Sequence, residues 1–344
     1  MMKRTDKLVR PNVLKLTPYL CARDEYEGSE GIFLDANESP YGPLNRYPDP
    51  RQRELRETIS RKKGIPAENI FLGNGSDEII DLCFRIFCNP GKDRAMIFTP
   101  TYGMYGVAAS VNDIGIVRIP LDDTFNIDLQ AAKPLLREDT LKLVFICSPN
   151  NPTGNCMNPE KVETIIRELN GIVVIDEAYA DFSGKPSFAE RIGEFDNLIV
   201  MQTFSKAFGL ASARVGMAFT NPVIVRYFNK MKPPYNISSL NQEAVLSKLR
   251  KPGEYRSQVT KIKEERSRLS REIAKLSCVV EVYPSDANFI LVRMKDAGQI
   301  YEYLVNKGII VRNRSSVINN CLRITVGTRK ENDCLLKALK NPEL

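Results

Sequence analysis

Apolar residues along the chain fall into two textures. From Pro50 to about residue 220, short unbroken apolar runs alternate with stretches of helical spacing. The runs are Ala95–Thr99, Leu143–Cys147, Ile172–Ile175 and Leu198–Met201. Uninterrupted runs of this length suit central strands of a mostly parallel sheet, buried on both faces. Between them the pattern predicts helices over Arg51–Lys63, ending at Gly64, then Gly75–Phe87, Tyr102–Asn112 and Pro159–Glu168. Strand and helix in alternation argue for an α/β layered domain. After Pro222 the texture changes. A long charged helical region covers about 239–276, followed by strands Val279–Tyr283, Asn288–Val292 and Cys321–Val326 and helices near 296–306 and 331–339. That part reads as a smaller α+β domain. Residues 1–45 are irregular, interrupted by Pro11, Pro18, Pro40 and Pro43.

Composition narrows the chemistry. The 344 residues are 43% apolar and 26% charged, an ordinary globular balance. No apolar run approaches the ~18 residues of a membrane helix, and the basic segment Met1–Leu16 lacks the apolar core of a secretory signal. Eight cysteines form no CxxC pair, Cys83 and Cys88 being the nearest approach, and there is no histidine. A zinc site is therefore not expected, and reduced thiols point to a cytoplasmic location. Without histidine, Ser-His and Cys-His catalysis are excluded, so an enzyme here would move protons with lysine, carboxylate or tyrosine. The net charge of +7 is dispersed, and its densest stretch, Lys261–Lys275, mixes signs at helical spacing. This is a solvated helix face rather than a nucleic-acid surface.

In an α/β sheet, ligands sit beyond the carboxyl ends of the strands. Four such places carry unusual polar residues. Ser148–Gly154 (SPNNPTG) follows one strand, Asp176–Tyr179 (DEAY) a second, and Thr203–Lys206 (TFSK) a third, with Arg214 and Gly216 beyond; Gly73–Asp77 (GNGSD) precedes a helix. Each has an ordinary reading: a tight turn, a helix cap by Asp176, a loop lysine, and a glycine-bearing helix start that only sometimes cradles phosphate. Together they supply an amine for an imine, an acid for a ring nitrogen and a phosphate cradle.

That set, in that order, resembles the fold-type I pyridoxal-phosphate enzymes. Leu34–Pro43 (LDANESPYGP), Asn45–Pro48 (NRYP), Pro100–Tyr105 (PTYGMY), Cys147–Gly154 (CSPNNPTG) and Cys321–Thr328 (CLRITVGT) resemble the histidinol-phosphate aminotransferases, over nearly the whole chain from about Val9. The resemblance implies an α/β fold whose large domain holds a mostly parallel seven-stranded sheet between helices. The expected divisions are an N-terminal arm over 1–45, a large cofactor domain over 46–222 and a small domain over 223–344. It implies a pyridoxal 5'-phosphate cofactor and amino transfer between glutamate and imidazole-acetol phosphate, giving histidinol phosphate, a step of histidine biosynthesis.

Residue by residue, the resemblance makes Lys206 the covalent holder of the cofactor and the proton carrier, and Asp176 the partner of the ring nitrogen. Asn151 and Tyr179 would bond the ring's phenolic oxygen and Tyr102 would stack on the ring. Gly75, Ser76, Asp77, Ser205 and Arg214 would hold the phosphate, with Thr203 as an extra donor. Tyr47 would reach the phosphate of the other subunit, so the active site would be shared across a homodimer. Substrate would meet Arg323, Arg312, Tyr19 and Asn37. Arg314 is an extra cation between Arg312 and Arg323, and the resemblance assigns it nothing. An aromatic-amino-acid transaminase and a phosphoamino-acid decarboxylase share the lysine set, but the substrate segments favour the histidinol-phosphate reading. A regulator with an aminotransferase-like domain would need room for a DNA-binding module, which the early start of the enzyme-like region is not expected to leave. Intact Lys206, Asp176 and Arg214 argue against a dead scaffold.

Overall fold

The apolar runs form the middle of one twisted sheet in a computed structural model that describes residues 4–21, 23, 26 and 31–340. Its strands are β1 (Ile70–Asn74), β2 (Arg94–Thr99), β3 (Gly115–Pro120), β4 (Leu141–Cys147), β5 (Ile172–Asp176), β6 (Leu198–Thr203) and β7 (Val215–Thr220). They lie in the order β1-β7-β6-β5-β4-β2-β3. Strands β3, β2, β4, β5 and β6 run parallel, while β7 is antiparallel to both β6 and β1. Strands β5, β6 and β7 are buried throughout, whereas β3, at the edge, is mostly open. Buried strands need no polar alternation, which is why they read as unbroken apolar runs.

Successive side chains of a strand point to opposite faces, so each face has its own core. The helices are α1 (Pro11–Lys15), α2 (Arg53–Lys63), α3 (Gly75–Phe87), α4 (Met104–Val111), α5 (Leu129–Ala132), α6 (Pro159–Glu168), α7 (Pro222–Met231), α8 (Ser239–Leu249), α9 (Pro252–Ile273), α10 (Ala297–Asn306) and α11 (Arg329–Lys340). Leu55 of α2, Ile165 of α6 and Leu246 of α8 join Val144, Val173 and Val200 on one face. Val13 of α1, Phe84 of α3, Ala109 of α4 and Phe228 of α7 join Phe145, Val174 and Ile199 on the other. Helix α2 stops where expected, with Gly64 left-handed at φ 68°.

A second sheet comprises β8 (Val279–Val282), β9 (Phe289–Met294), β10 (Arg312–Asn313) and β11 (Cys321–Thr325), antiparallel in the order β10-β11-β9-β8. One face packs on Leu269 and Ile273 of α9, Ile300 and Leu304 of α10, and Leu335 and Leu339 of α11. The expected helical region over 239–276 is two helices, because Pro252 cannot continue α8 and instead starts α9. Its mixed charges pair on the surface, Arg268 with Glu265 at 2.7 Å and Lys275 with Glu272 at 2.7 Å. The expected division at 222/223 precedes α7 and α8, yet both bury apolar residues in the large sheet's cores; the second core begins within α9. Among the described residues, no helix is long and apolar enough to cross a membrane.

One close approach fixes where α3 begins. A Cβ built on Gly216 of β7 would lie 2.5 Å from the Ser76 nitrogen and 2.6 Å from the Gly75 carbonyl carbon. Only a residue without a side chain lets α3 begin against β7. Gly216→Ala is expected to destabilise the chain by about 1–3 kcal/mol, read as a lower Tm, because the obstructing atoms are backbone. An unchanged Tm would show that the helix can retreat at no cost.

Candidate active site

Parallel β4, β5 and β6 end at the same edge of the sheet, and each end carries a polar residue that the sequence singles out. Asn151 lies just beyond β4, Asp176 is the last residue of β5, and Thr203 is the last of β6, followed by Ser205 and Lys206. Because β7 is antiparallel, it begins at that same edge, directly after Arg214. Its neighbour β1 ends there, Asn74 opposite Val215, so the start of α3 arrives too. These segments enclose a cavity of about 210 Å³ whose lining includes Lys206, Asp176, Asn151, Tyr179, Arg214 and Arg323. Ser76, Asp77, Tyr102, Thr203 and Ser205 also face it. A larger cleft of about 790 Å³ lies elsewhere, between Tyr19, Pro50, Arg226 and Lys232. It contains none of the strand-end groups.

One wall of the cavity is built for an anion. Helix α3 has no side-chain cap, so the amides of its first turn have no intrahelical acceptor and the positive end of the helix dipole is open. Arg214, left-handed at φ 49°, lays its guanidinium over this helix start: a Cβ on Gly75 would lie 2.5 Å from Nη2. Its Nη2 is 3.1 Å from Asp77 Oδ2, and the Tyr102 hydroxyl donates to Asp77 Oδ1 at 3.1 Å. Helix amides, a guanidinium fork and the nearby Ser205 form a donor set suited to a phosphate. Thr203 faces the cavity from the end of β6. Its hydroxyl donates to the Val215 carbonyl at 3.4 Å and accepts from the Ser205 amide at 3.1 Å, so it braces the loop.

The opposite wall holds a buried acid and an amine. Asp176 is 3% exposed, and burial pushes its carboxyl pKa up. Two donors oppose that shift: the Tyr105 hydroxyl at 2.7 Å and the Ala178 amide at 3.0 Å. Lys206 is shifted the other way. Burial, with Arg323 facing it, holds its pKa below the ordinary lysine value, against the pull of Asp176 and Asp77. Its Nζ lies 5.6 Å from the centre of the Tyr179 ring. The neighbouring carboxylate of Glu177 has a structural task, binding Ser187, the Phe188 amide at 2.8 Å and Gln202 at 2.9 Å. The adjacent asparagines divide similarly: Asn150, fully buried, ties Thr101, the Pro100 carbonyl and Thr153, which leaves Asn151 free to face the cavity.

Arg323 comes from the second sheet. Its Nη1 donates to Asn151 Oδ1 at 2.5 Å, its guanidinium carbon lies 5.3 Å from the Phe289 ring centre, and its buried Nε has no partner. Arg312 is its register neighbour but is exposed. Three other expected residues are not brought to the cavity within this chain. Tyr19 is 77% exposed, Asn37 is exposed with φ 54°, and Tyr47 stacks on Tyr235 with ring centres 4.4 Å apart. Tyr105 is a site residue that the sequence pattern alone did not single out. It sits three positions after Tyr102, on the face of α4 that meets β5, and that spacing within PTYGMY was the available signal. Among the described residues, no group of three His, Cys, Asp or Glu could hold a metal ion.

Comparison with known proteins agrees with this geometry. The family model for aminotransferase class I and II matches residues 32–339. A histidinol-phosphate aminotransferase of Bacteroides thetaiotaomicron is 51% identical over 98% of this chain and 99% of its own length. Another, of Cytophaga hutchinsonii, is 49% identical over 97% of this chain and 98% of its own length. Among solved structures, histidinol-phosphate aminotransferase from Sinorhizobium meliloti in complex with pyridoxal-5'-phosphate superposes with a TM-score of 0.79 at 26% identity, covering 89% of this chain and 88% of that one. The chain belongs to the class I and II aminotransferases and, within them, to the histidinol-phosphate aminotransferase family.

Proposed function

We propose that this aminotransferase moves an amino group between glutamate and imidazole-acetol phosphate, giving histidinol phosphate and 2-oxoglutarate, with pyridoxal 5'-phosphate as cofactor. The observation that carries the reading is the cavity itself: Lys206 with its lowered pKa stands between an uncapped helix start and the buried, partly unpaired guanidinium of Arg323.

The residues fit that cofactor. Gly75 leaves no Cβ between the helix start and Arg214, Gly216 leaves none between β7 and that helix start, and the open amides with Arg214 suit a phosphate. Asp176 offers a buried carboxylate of the kind that holds a protonated ring nitrogen. When bound, pyridoxal phosphate supplies the electron sink for the pair left behind when a proton leaves the substrate's α-carbon. Lys206 would hold the cofactor through Nζ and, when its amine is free, would take up and return that proton. Its lowered pKa increases the fraction of neutral amine near pH 7, as a base requires. Tyr105 and the Ala178 amide favour the ionised form of Asp176 against the effect of burial. Asn151 and Tyr179 would orient the ring, Tyr102 would shield it from water, and Arg323 with Arg312 would hold the substrate's anion.

Tyr47, Tyr19 and Asn37 act in this reading at the edge of a second copy. The arm that carries them leaves Ile32 91%, Leu34 90% and Tyr41 84% exposed, an amount of apolar surface that a partner would cover. The functional unit is then a homodimer with a shared active site, located in the cytoplasm.

The purified, cofactor-loaded protein should turn over imidazole-acetol phosphate with glutamate faster than it turns over phenylpyruvate; equal or reversed rates would show the substrate assignment to be wrong. Lys206→Ala should lose at least ~10³-fold of turnover, given that general acid–base catalysis alone is worth ~10²–10⁴. Mixing Lys206→Ala chains with weakly active Tyr47→Ala chains should then restore activity, because a hybrid dimer has one intact site. If mixing restores nothing, the site is not shared. Asp176 yields a stability prediction. Its folded pKa is raised, so its favourable contribution is complete below the unfolded carboxylate value and is lost as pH rises through the folded value. Without cofactor, Asp176→Asn should therefore melt higher than wild type at pH 8, with the gain shrinking toward pH 4. A lower Tm at pH 8 would refute it, and unchanged turnover in the loaded enzyme would refute the ring-nitrogen role of Asp176.

A further inference from the structure

Arg314 has no task in the cavity around Lys206, and its surroundings give it one. Strands β10 and β11 pair Arg312 with Arg323 and Asn313 with Leu322. The ladder continues one step, with the Arg314 amide donating to the Cys321 carbonyl at 2.8 Å. Side chains alternate along a strand, so Arg312 and Arg314 share the face that bears Arg323, while Leu322 and Ile324 turn to the core on the other side. Among the described residues, the charged groups that bear on the Arg314 guanidinium are Arg323 and Arg312, both of its own sign. By contrast Arg293, on the next strand, has Glu281 opposite it in the ladder. Arg314 is only half-open to solvent, and its Nε, like that of Arg323, is buried with no hydrogen-bond partner. Three neighbouring guanidiniums, two of them with a buried unpartnered Nε, form an incomplete arrangement, and an anion completes it.

The two substrates of the proposed function differ in the anion they present here. Glutamate carries a singly charged carboxylate directly on the reacting carbon. Histidinol phosphate carries a phosphate ester one carbon further out, with about two charges. Arg323, hydrogen-bonded to Asn151 and lining the Lys206 cavity, is placed for both. Arg314 is diagonal to Arg323 across the ladder, about 7–8 Å away at Cα, and does not line that cavity. Resting on the proposed function, we infer that Arg314 is a specificity residue: with Arg323 and Arg312 it forms a subsite for the phosphate end of the substrate that glutamate's α-carboxylate does not reach.

The two half-reactions of the cofactor-loaded enzyme, followed separately by absorbance, test this. Arg314→Gln should raise the KM for histidinol phosphate about 10-fold or more, the loss of one hydrogen bond to a charged group, while the glutamate half-reaction changes less than about twofold. Arg314→Lys, which keeps a point charge but not the fork, should fall between. The lysine variant also serves if the glutamine variant folds poorly, since any selective loss for the phosphorylated substrate supports the subsite. Equal losses on both substrates, or none on either, would overturn it. Should the wild-type enzyme not use histidinol phosphate, the substrate assignment fails separately, and Arg314 is judged by inorganic phosphate competing with glutamate. Inhibition weakened about 10-fold by Arg314→Gln keeps the subsite, and unchanged inhibition removes it.

Discussion

The constraint on which this site depends is the common direction of β4, β5 and β6. Parallel neighbours end together, so Asn151, Asp176 and the Ser205–Lys206 loop come to one edge although they lie on separate segments of the chain. The antiparallel β7 then brings its beginning to the same edge, and with it Arg214 and the start of α3. Gly216 makes that last contact possible, since any side chain there would strike the helix backbone. Reverse one of these strands and its polar residue would leave for the opposite edge, a full strand length away.

The site concentrates charge that has lost part or all of its solvent, Asp176 most completely. Asp176, Lys206 and Arg323 all lose solvent, and burial disfavours the charged form of each. Such groups destabilise a chain unless something specific surrounds them. For Asp176 that something is the Tyr105 hydroxyl and the Ala178 amide; for Arg323 it is Asn151 and the face of Phe289. Lys206 has only the Tyr179 ring nearby, and lost solvent together with the like charge of Arg323 lowers its pKa against the pull of Asp176 and Asp77. The same lack of compensation that costs stability makes its amine a usable base.

Arg323 also joins the two sheets. It stands on β11 in the smaller unit and bonds a residue at the end of β4 in the larger one. Around it Tyr179 and Phe182 pack on Phe289, with Tyr255 and Ile262 of α9 alongside. Tyr255 additionally donates to Asp181 at 2.5 Å. The cavity is thus closed by packing between units rather than by either alone, and α9 is the helix that spans them.

The chain's own pattern determined β2, β4, β5 and β6, because strands buried on both sides need no polar alternation and read as plain apolar runs; β1 and β7, also largely buried, were not picked out, since a glycine interrupts each run. It marked the segments whose position is local, those lying at a strand end or a helix start, which the fold brings to one cavity: Ser148–Gly154, Asp176–Tyr179, Thr203–Lys206 with Arg214 beyond, and Gly73–Asp77. The edge strand β3 and the short β10 carried no such signature, since half-exposed strands mix polar and apolar residues as loops do. Only the tertiary structure decided the rest. Tyr105 meets Asp176 across 71 positions, the two helices after Pro222 settle on the large sheet, and Arg323 reaches Asn151 across 172 positions. Glu177 beside Asp176, and Asn150 beside Asn151, could not be told apart from their neighbours in the sequence. Which of two adjacent side chains enters the cavity depends on the side of the backbone it leaves from and on the partner waiting there, and both are properties of the packed chain.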